Sequence, residues 1–180
     1  RVDRFRNING SSPSAADVFA TGDPQLFRKH GKVIGESCRT LGFNTDFAPV
    51  VDLAFEPSKT VMSSRAVSAD PKQAVLYARE FLKGLRAARV IGSAKHFPGL
   101  GEANLDTHQE LPSINKSWKK LWAEDLYPYR ALRRELPMVL IGHANYPATT
   151  PDNCPPSLSK KWITGVPRKK NGYRDLVVSA

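Results

Sequence analysis

Residues 90–99 read VIGSAKHFPG, a short apolar run that ends in Lys95, His96 and a Pro-Gly pair. Short runs rich in Val, Ile and Leu are typical of strands, and Pro and Gly mark the loop that follows. The same order, an apolar run followed by polar or conformationally special residues, recurs elsewhere in the chain. It predicts strands whose carboxyl ends carry the functional side chains.

Four apolar runs divide the chain, at residues 43–51, 90–94, 138–141 and 176–179. Each interval between them is long enough for one helix and a sizeable loop. Uninterrupted apolar runs separated by helices are typical of parallel strands that are buried on both faces. We therefore expect the four runs to be parallel neighbours in this order.

Three stretches between these runs have helical periodicity. The first begins at Asp23 and the second at Asp70, and in each a proline follows the aspartate. Aspartate is a favoured cap, and proline suits the first helical position. The third begins at Ser117, and Pro128 is expected to kink it. The stretch before residue 23 is expected to be a loop.

Two α/β architectures fit this order, a doubly wound sheet and a (β/α)8 barrel. No G-x-G-x-x-G or Walker-A string is present, whereas side chains gathered from the ends of several strands are the barrel pattern. Four strands are half of a barrel, and no helix follows the last run. We predict that residues 1–180 form part of one domain, an incomplete (β/α)8 TIM-type barrel with ends missing on both sides.

The composition is that of a globular protein, with 41% hydrophobic and 24% charged residues. The net charge of +10 is compatible with a nucleic-acid partner. The basic residues are scattered among acidic ones, which favours a solvated surface and predicts no nucleic-acid partner. No apolar run is long enough for a membrane span, so no membrane association is expected.

The two cysteines, Cys38 and Cys154, have neither a disulfide framework nor metal-ligand spacing. No metal or other cofactor is expected. The first residues lack the apolar core of a signal peptide. A cytoplasmic location is therefore predicted, with periplasmic or secreted locations as alternatives.

The densest group of reactive residues is KHFPGLG at 95–101, followed by Asp106 and His108. Lys95 and His96 follow a buried strand, so their side chains are expected at the barrel mouth, where they suit hydrogen bonding to sugar hydroxyls. Asp106 and His108 are close enough in sequence for the carboxylate to orient the imidazole as an acid/base dyad. A metal at His96, Asp106 and His108 is the less favoured alternative, because no helical or Cys/His framework holds these ligands.

These residues resemble the family 3 glycoside hydrolases, particularly their β-N-acetylglucosaminidase branch. KHFPGLG followed by DTH carries most of the resemblance, and three other stretches agree with it: NTDFAPVVDL at 44–53, SRAVSADP at 64–71 and HANYP at 143–147. The resemblance implies a retaining hydrolase that removes terminal β-linked N-acetylglucosamine from peptidoglycan- or chitin-derived sugars, as in peptidoglycan recycling. It implies a carbohydrate substrate as the partner.

The resemblance also implies roles for individual residues. His108 matches the general acid/base and Asp106 its partner, an exception to the usual carboxylate pair. Five side chains match substrate-binding positions: Arg4, Arg65, Lys95, His96 and His143. Two alternatives stay open, since Arg65 could form a surface salt bridge and His143 could simply shape a strand end.

The family's nucleophile is an aspartate that directly follows a strand similar to residues 176–179. Here the next residue is Ala180, which has no lone pair to offer an anomeric carbon, so the chain as given is expected to be inactive. The favoured explanation is that the nucleophile is missing through truncation. The alternative explanation is a substitution that abolishes catalysis. The alternative functions are that of a noncatalytic sugar-binding descendant of the family and a β-glucosidase-like specificity.

Overall fold

The computed structural model describes residues 10–103, 111–150 and 154–179. Four residues with predicted roles lie outside these ranges: Arg4, Asp106, His108 and Ala180.

Helices and short strands alternate along the described chain. The α-helices are α1 (Ala15–Ala20), α2 (Pro24–Thr40), α3 (Lys59–Met62), α4 (Pro71–Ala87), α5 (Trp118–Ala123) and α6 (Tyr127–Leu132). The strands are β1 (Thr45–Asp46), β2 (Ile91–Gly92), β3 (Ala94–Phe97), β4 (Met138–Ile141) and β5 (Leu176–Ser179). A π-helix at Lys161–Lys170 precedes β5, and 3-10 turns lie at Glu56–Ser58, Ser63–Arg65 and Pro156–Leu158.

Every strand pairing in the described residues is parallel. β1 pairs with β2, and β4 lies between β3 and β5. A bridge between Val50 and Lys95 connects the two groups, and the Val51 amide donates to the Lys95 carbonyl at 2.9 Å. β1 covers only two residues of the predicted run 43–51, although the Ser93 amide donates to the Ala48 carbonyl and the Lys95 amide to the Pro49 carbonyl beyond it. The strand order runs without reversal from β1 to β5, which confirms the predicted order of parallel neighbours.

The two long helices begin where the sequence predicts them. The Asp23 carboxylate accepts from the Gln25 amide at 2.8 Å, and Asp70 accepts from the Lys72 amide at the same distance. Each cap satisfies an N–H group that the first helical turn leaves without a partner. The local sequence therefore sets the start of both helices.

The third predicted helix is divided into α5 and α6, so the expectation of one kinked helix is wrong. α5 ends at Ala123, and Pro128 stands in the first turn of α6. Proline is tolerated there because the first turn leaves its N–H groups unpaired in any case. Glu124 and Asp125, at the break, turn their carboxylates toward Lys116.

Three helices of the described residues lie outside the predicted set: α1, the four-residue α3 and the π-helix. α1 starts at a capping box, in which Ser14 accepts from the Asp17 amide and Asp17 accepts from the Ser14 amide, both at 3.1 Å. This spacing is a recognisable start signal within the stretch expected to be a loop. The π-helix contains Pro167, which argues against a helix in the sequence.

The main core lies between the strands and the helices that cover them, whereas α2 and α4 pack against each other through glycine. Helical periodicity alone predicts that Leu26 and Val33 are buried, yet these two residues are 40% and 44% exposed. Gly31 and Gly84 instead form the contact. A Cβ on Gly31 would lie only 2.1 Å from the carbonyl oxygen of Phe81. Glycine thus lets the two helix backbones approach closely.

Replacing Gly84 by alanine is expected to lower the free energy of unfolding by about 1–3 kcal/mol, the usual cost of overpacking. The new Cβ would lie 2.1 Å from the Arg28 carbonyl oxygen and 2.5 Å from the Lys32 amide nitrogen. Urea unfolding of the full-length protein measures the effect. Gly165→Ala is the matched control, because its Cβ would meet nothing nearer than 3.9 Å. Equal stability of the two variants would contradict the glycine contact.

A second apolar cluster fills the space between α1, α2 and α4. The rings of Phe19, Phe27, Tyr77 and Phe81 pack together, and the His30 ring stands edge-on to Phe81 at 5.4 Å. His30 Nδ1 lies 2.9 Å from the Tyr77 hydroxyl. Burial lowers the pKa of His30 below its ordinary value of 6.5.

Acidification is expected to destabilise the fold through His30. Because the folded state lowers the pKa of His30, the unfolded state takes up the proton more readily. The contribution to stability is complete above about pH 6.5 and is lost as the pH falls toward the folded-state pKa. Urea unfolding between about pH 7 and pH 5 should show a flatter pH dependence in His30→Gln. An unaltered slope in His30→Gln would contradict this role.

Among the described helices, none combines the length and the apolar character needed to cross a membrane.

Candidate active site

Asp52 organises the carboxyl ends of the first strands. Its side chain is fully buried just after the Val50–Lys95 bridge. The carboxylate lies 2.7 Å from Nδ1 of His96 and accepts from the backbone amides of His96 at 3.1 Å and Leu100 at 2.8 Å. One side chain therefore holds both the imidazole and the loop that follows β3.

The hydrogen bond to Asp52 decides which nitrogen His96 presents. A carboxylate acceptor selects the tautomer with the proton on Nδ1, which leaves Nε2 free to accept. Gly142, just after β4, packs against this histidine, since a Cβ there would lie 2.9 Å from the His96 Cβ. The Gly142 amide also donates to the Phe97 carbonyl at 2.8 Å. The His96 ring is thus fixed from two neighbouring strands. The Lys95–His96 and Phe97–Pro98 peptide bonds are cis.

Lys95 and Arg65 line the same cavity, which has a volume of about 300 Å³. Asp46 lines it as well. Burial lowers the pKa of Lys95, and the Asp46 carboxylate opposes this shift. Burial likewise raises the pKa of Asp46, with Lys95 opposing. The cavity is also lined by His30 and Tyr77 of the helix cluster, and its charged side chains offer donors and an acceptor that suit a polyhydroxyl ligand.

The structure brings the predicted binding residues only partly together. Arg65 shares the cavity with Lys95, and its guanidinium donates to the Val61 carbonyl at 2.8 Å. No carboxylate of the described residues forms an ion pair with Arg65. His96 faces Asp52 and does not line this cavity. His143 is exposed, and its Nδ1 lies 2.6 Å from the Ser157 hydroxyl.

The loop after β3 rests on side chains that were not predicted. The Tyr146 hydroxyl donates to the Gly99 carbonyl at 2.6 Å. Asp125 packs directly under Gly99, where a Cβ would lie 2.6 Å from the Asp125 Cβ. Burial raises the pKa of Asp125 to about 6, and the neighbouring Lys116 opposes the shift.

Asp52 had a signal in the sequence, because it directly follows the apolar run that forms the first strand. Lys116 and Asp125 had none. A lysine before a helix and an aspartate within a helical stretch look like solvated charges until the helix break brings them together.

Among the described residues, no three His, Cys, Asp or Glu side chains cluster closely enough to hold a metal ion. The alternative metal site proposed from the sequence includes Asp106 and His108, which lie outside the described residues.

The whole chain, residues 1–180, matches the family described as Glycosyl hydrolase family 3 N terminal domain. Beta-hexosaminidase LpqI of Mycobacterium tuberculosis is 38% identical over 178 residues, which are 96% of this chain and 44% of the relative. The Beta-hexosaminidase of Tolumonas auensis is 32% identical over 183 residues, covering 99% of this chain and 54% of the relative. The chain thus spans about half the length of these relatives.

Solved structures show the same likeness. A glycoside hydrolase family 3 beta-N-acetylglucosaminidase from Paenibacillus has a TM-score of 0.88 and 31% identity, covering 93% of this chain and 32% of that chain. The structure of M. tuberculosis LpqI has a TM-score of 0.88 and 35% identity, covering 100% of this chain and 54% of that chain. Together with the unbroken parallel strand order, this likeness confirms the predicted fold class, part of a TIM-type (β/α)8 barrel.

Proposed function

This chain belongs to glycosyl hydrolase family 3, and from that membership we propose that the full-length protein is a retaining β-N-acetylhexosaminidase. Its substrate is a terminal β-linked N-acetylglucosamine on a peptidoglycan- or chitin-derived sugar. The names of its relatives, beta-hexosaminidase and beta-N-acetylglucosaminidase, support this class of reaction.

The observation that carries the proposal is the placement of Lys95 and His96 within β3, next to the Phe97 at which the strand ends. His96 is held by the buried Asp52, and Lys95 shares a cavity with Arg65. Sugars are recognised by several fixed donors and acceptors acting together. Active sites of TIM-type barrels lie at the carboxyl ends of their strands, where these side chains stand. Lys95, His96 and Arg65 are proposed to bind the sugar, with Arg4 and His143 at its rim.

The proposed chemistry has two steps. In the first, a carboxylate oxygen forms a bond to the anomeric carbon while His108 gives its proton to the departing glycosidic oxygen. In the second, His108 takes a proton from water, whose oxygen displaces the carboxylate and releases the sugar with its configuration retained. Asp106 orients the imidazole and stabilises its protonated form.

The position of the family's nucleophile corresponds to Ala180 or lies beyond it. Ala180 has no oxygen with which to attack. This alanine favours a second candidate function, in which the protein binds the sugar without cleaving it. The full-length sequence distinguishes the two candidates: an aspartate at the nucleophile position indicates the enzyme, and its absence indicates the binding protein.

Turnover of p-nitrophenyl glycosides by the full-length protein tests the proposal. We expect kcat/KM for the β-N-acetylglucosaminide to exceed that for the β-glucoside by about 10²-fold or more, because a site that hydrogen-bonds an acetamido group rejects a ligand without it. A preference for the glucoside would indicate the β-glucosidase-like alternative. Calorimetric binding of N-acetylglucosamine without turnover would indicate the noncatalytic candidate.

A further inference from the structure

Lys116 is a fully buried lysine in contact with three carboxylates. Its Nζ lies 2.5 Å from Asp125, 2.7 Å from Glu124 and 3.4 Å from Glu102, and its side chain is 0% exposed. The ammonium also faces the Phe55 ring, 4.6 Å from the centroid. Lys116, Glu102, Glu124 and Asp125 are called the buried ion cluster below.

The buried ion cluster connects two parts of the chain that are separated by residues 104–110. Glu102 stands just before that segment in the sequence, and Lys116 stands shortly after it. The same segment contains Asp106 and His108. The Glu102–Lys116 ion pair therefore joins the chain that enters the segment to the chain that leaves it.

Both sides of this connection are fixed to the barrel. On the entering side, Gly99 packs on Asp125, and its carbonyl accepts from the Tyr146 hydroxyl. On the leaving side, the Ile114 amide donates to the Asn145 carbonyl at 2.8 Å. The cluster stands where the β3 loop, the break before α6 and the stretch leading into α5 meet.

A contribution to the stability of the fold does not by itself explain why these charged side chains are buried together. The desolvation of buried charges offsets much of their attraction, and apolar side chains often replace a buried pair without loss of stability. Burial acts to lower the pKa of Lys116, but the Asp125 and Glu124 carboxylates hold it above its usual value, so the lysine stays charged. A buried charge among fixed partners selects a single arrangement of the backbone around it.

We propose that Lys116 is a positioning residue of the hydrolase, which holds together the described residues that precede and follow positions 104–110 and in this way positions the proposed acid/base group. This inference rests on the proposed function. Lys116 does not touch the sugar in this proposal, and it acts through Glu102 and Asp125.

Two variants of the full-length protein test the role of Lys116. Glu102→Gln removes the charge that joins the entering chain to the lysine and leaves the Lys116–Asp125 pair in place. The double variant Lys116→Met with Asp125→Asn removes the lysine together with its most buried partner, and leaves Glu102 and Glu124 without their contact to the lysine. Lys119→Met is the matched control, because Lys119 is an exposed lysine in α5, three residues after Lys116.

The kinetic readout compares two aryl β-N-acetylglucosaminides, one with an activated and one with a poor leaving group. Misplaced acid/base groups slow the substrate that needs protonation most. We expect both test variants to lower kcat about tenfold on the poor leaving group and less than about twofold on the activated one, with KM and thermal unfolding near those of the parent protein. Lys119→Met should match the parent on both substrates. Equal losses on the two substrates, or no loss, would overturn the positioning role.

Hydrogen exchange distinguishes failure of this inference from failure of the proposed function. In Glu102→Gln, the Ala103 and Ile114 amides, which donate to Leu100 and Asn145, should exchange at least tenfold faster than in the parent protein. This measurement needs no turnover. Unchanged exchange would overturn the inference whatever the enzymatic result, whereas a parent protein that releases no sugar would overturn the proposed function.

Discussion

Alanine in place of His108 is expected to lower kcat of the full-length protein by about 10²–10⁴-fold on a glycoside with a poor leaving group, the usual loss when a general acid/base is removed. In the proposed mechanism this imidazole protonates the departing oxygen and then deprotonates the attacking water. In His108→Ala, neither step has its proton transfer. Steady-state kinetics of the variant and the parent protein measure the effect.

Leaving-group dependence separates an acid from a residue that only shapes the site. A glycoside with an activated leaving group needs little protonation, so its first step should lose much less in His108→Ala. Pre-steady-state release of the leaving group isolates that step. Equal losses for activated and poor leaving groups would show that His108 is not the acid.

Alanine in place of Lys95 is expected to lower kcat/KM by about 10²-fold while the fold survives. The ammonium is a charged donor on the wall of the cavity that also contains Arg65 and Asp46. Its removal takes away hydrogen bonds to the sugar. It also leaves the half-buried Asp46 without its neighbouring cation, and an unpaired polar group costs free energy in both cases. Michaelis–Menten kinetics together with urea unfolding measure the two effects separately.

Lys72→Ala is the matched control for Lys95, because Lys72 is an exposed lysine in the first turn of α4. It should leave kinetics and stability close to those of the parent protein. Kinetics of Lys95→Ala equal to those of Lys72→Ala would remove Lys95 from the site.

The features that were predicted correctly depend on local chemistry. The caps at Asp23 and Asp70 depend on groups within one helical turn, and the sequence shows them directly. The apolar runs locate the strands, but the expectation that all of them are buried on both faces is wrong. β4 is buried along its whole length, whereas Ile91 of β2 and Leu176 of β5 are 41% and 59% exposed. The KHFPGLG stretch identifies the family because its residues are contiguous.

The features that were missed depend on contacts between distant residues. Gly31 and Gly84 are 53 positions apart in the sequence, and their role follows from the crossing of two helices. Asp52 is recognised as the partner of His96 only when the first strand and β3 are adjacent. Lys116 is buried because the chain breaks between α5 and α6, and helix propensity does not locate that break.

The central claim is that the full-length protein releases N-acetylglucosamine with its anomeric configuration retained. Proton NMR of the first sugar released from a β-N-acetylglucosaminide tests this most directly, because the α and β anomers have separate signals before they interconvert. The proposed two-step mechanism predicts that the β anomer is released first. Initial release of the α anomer, or no release of N-acetylglucosamine at all, would contradict it.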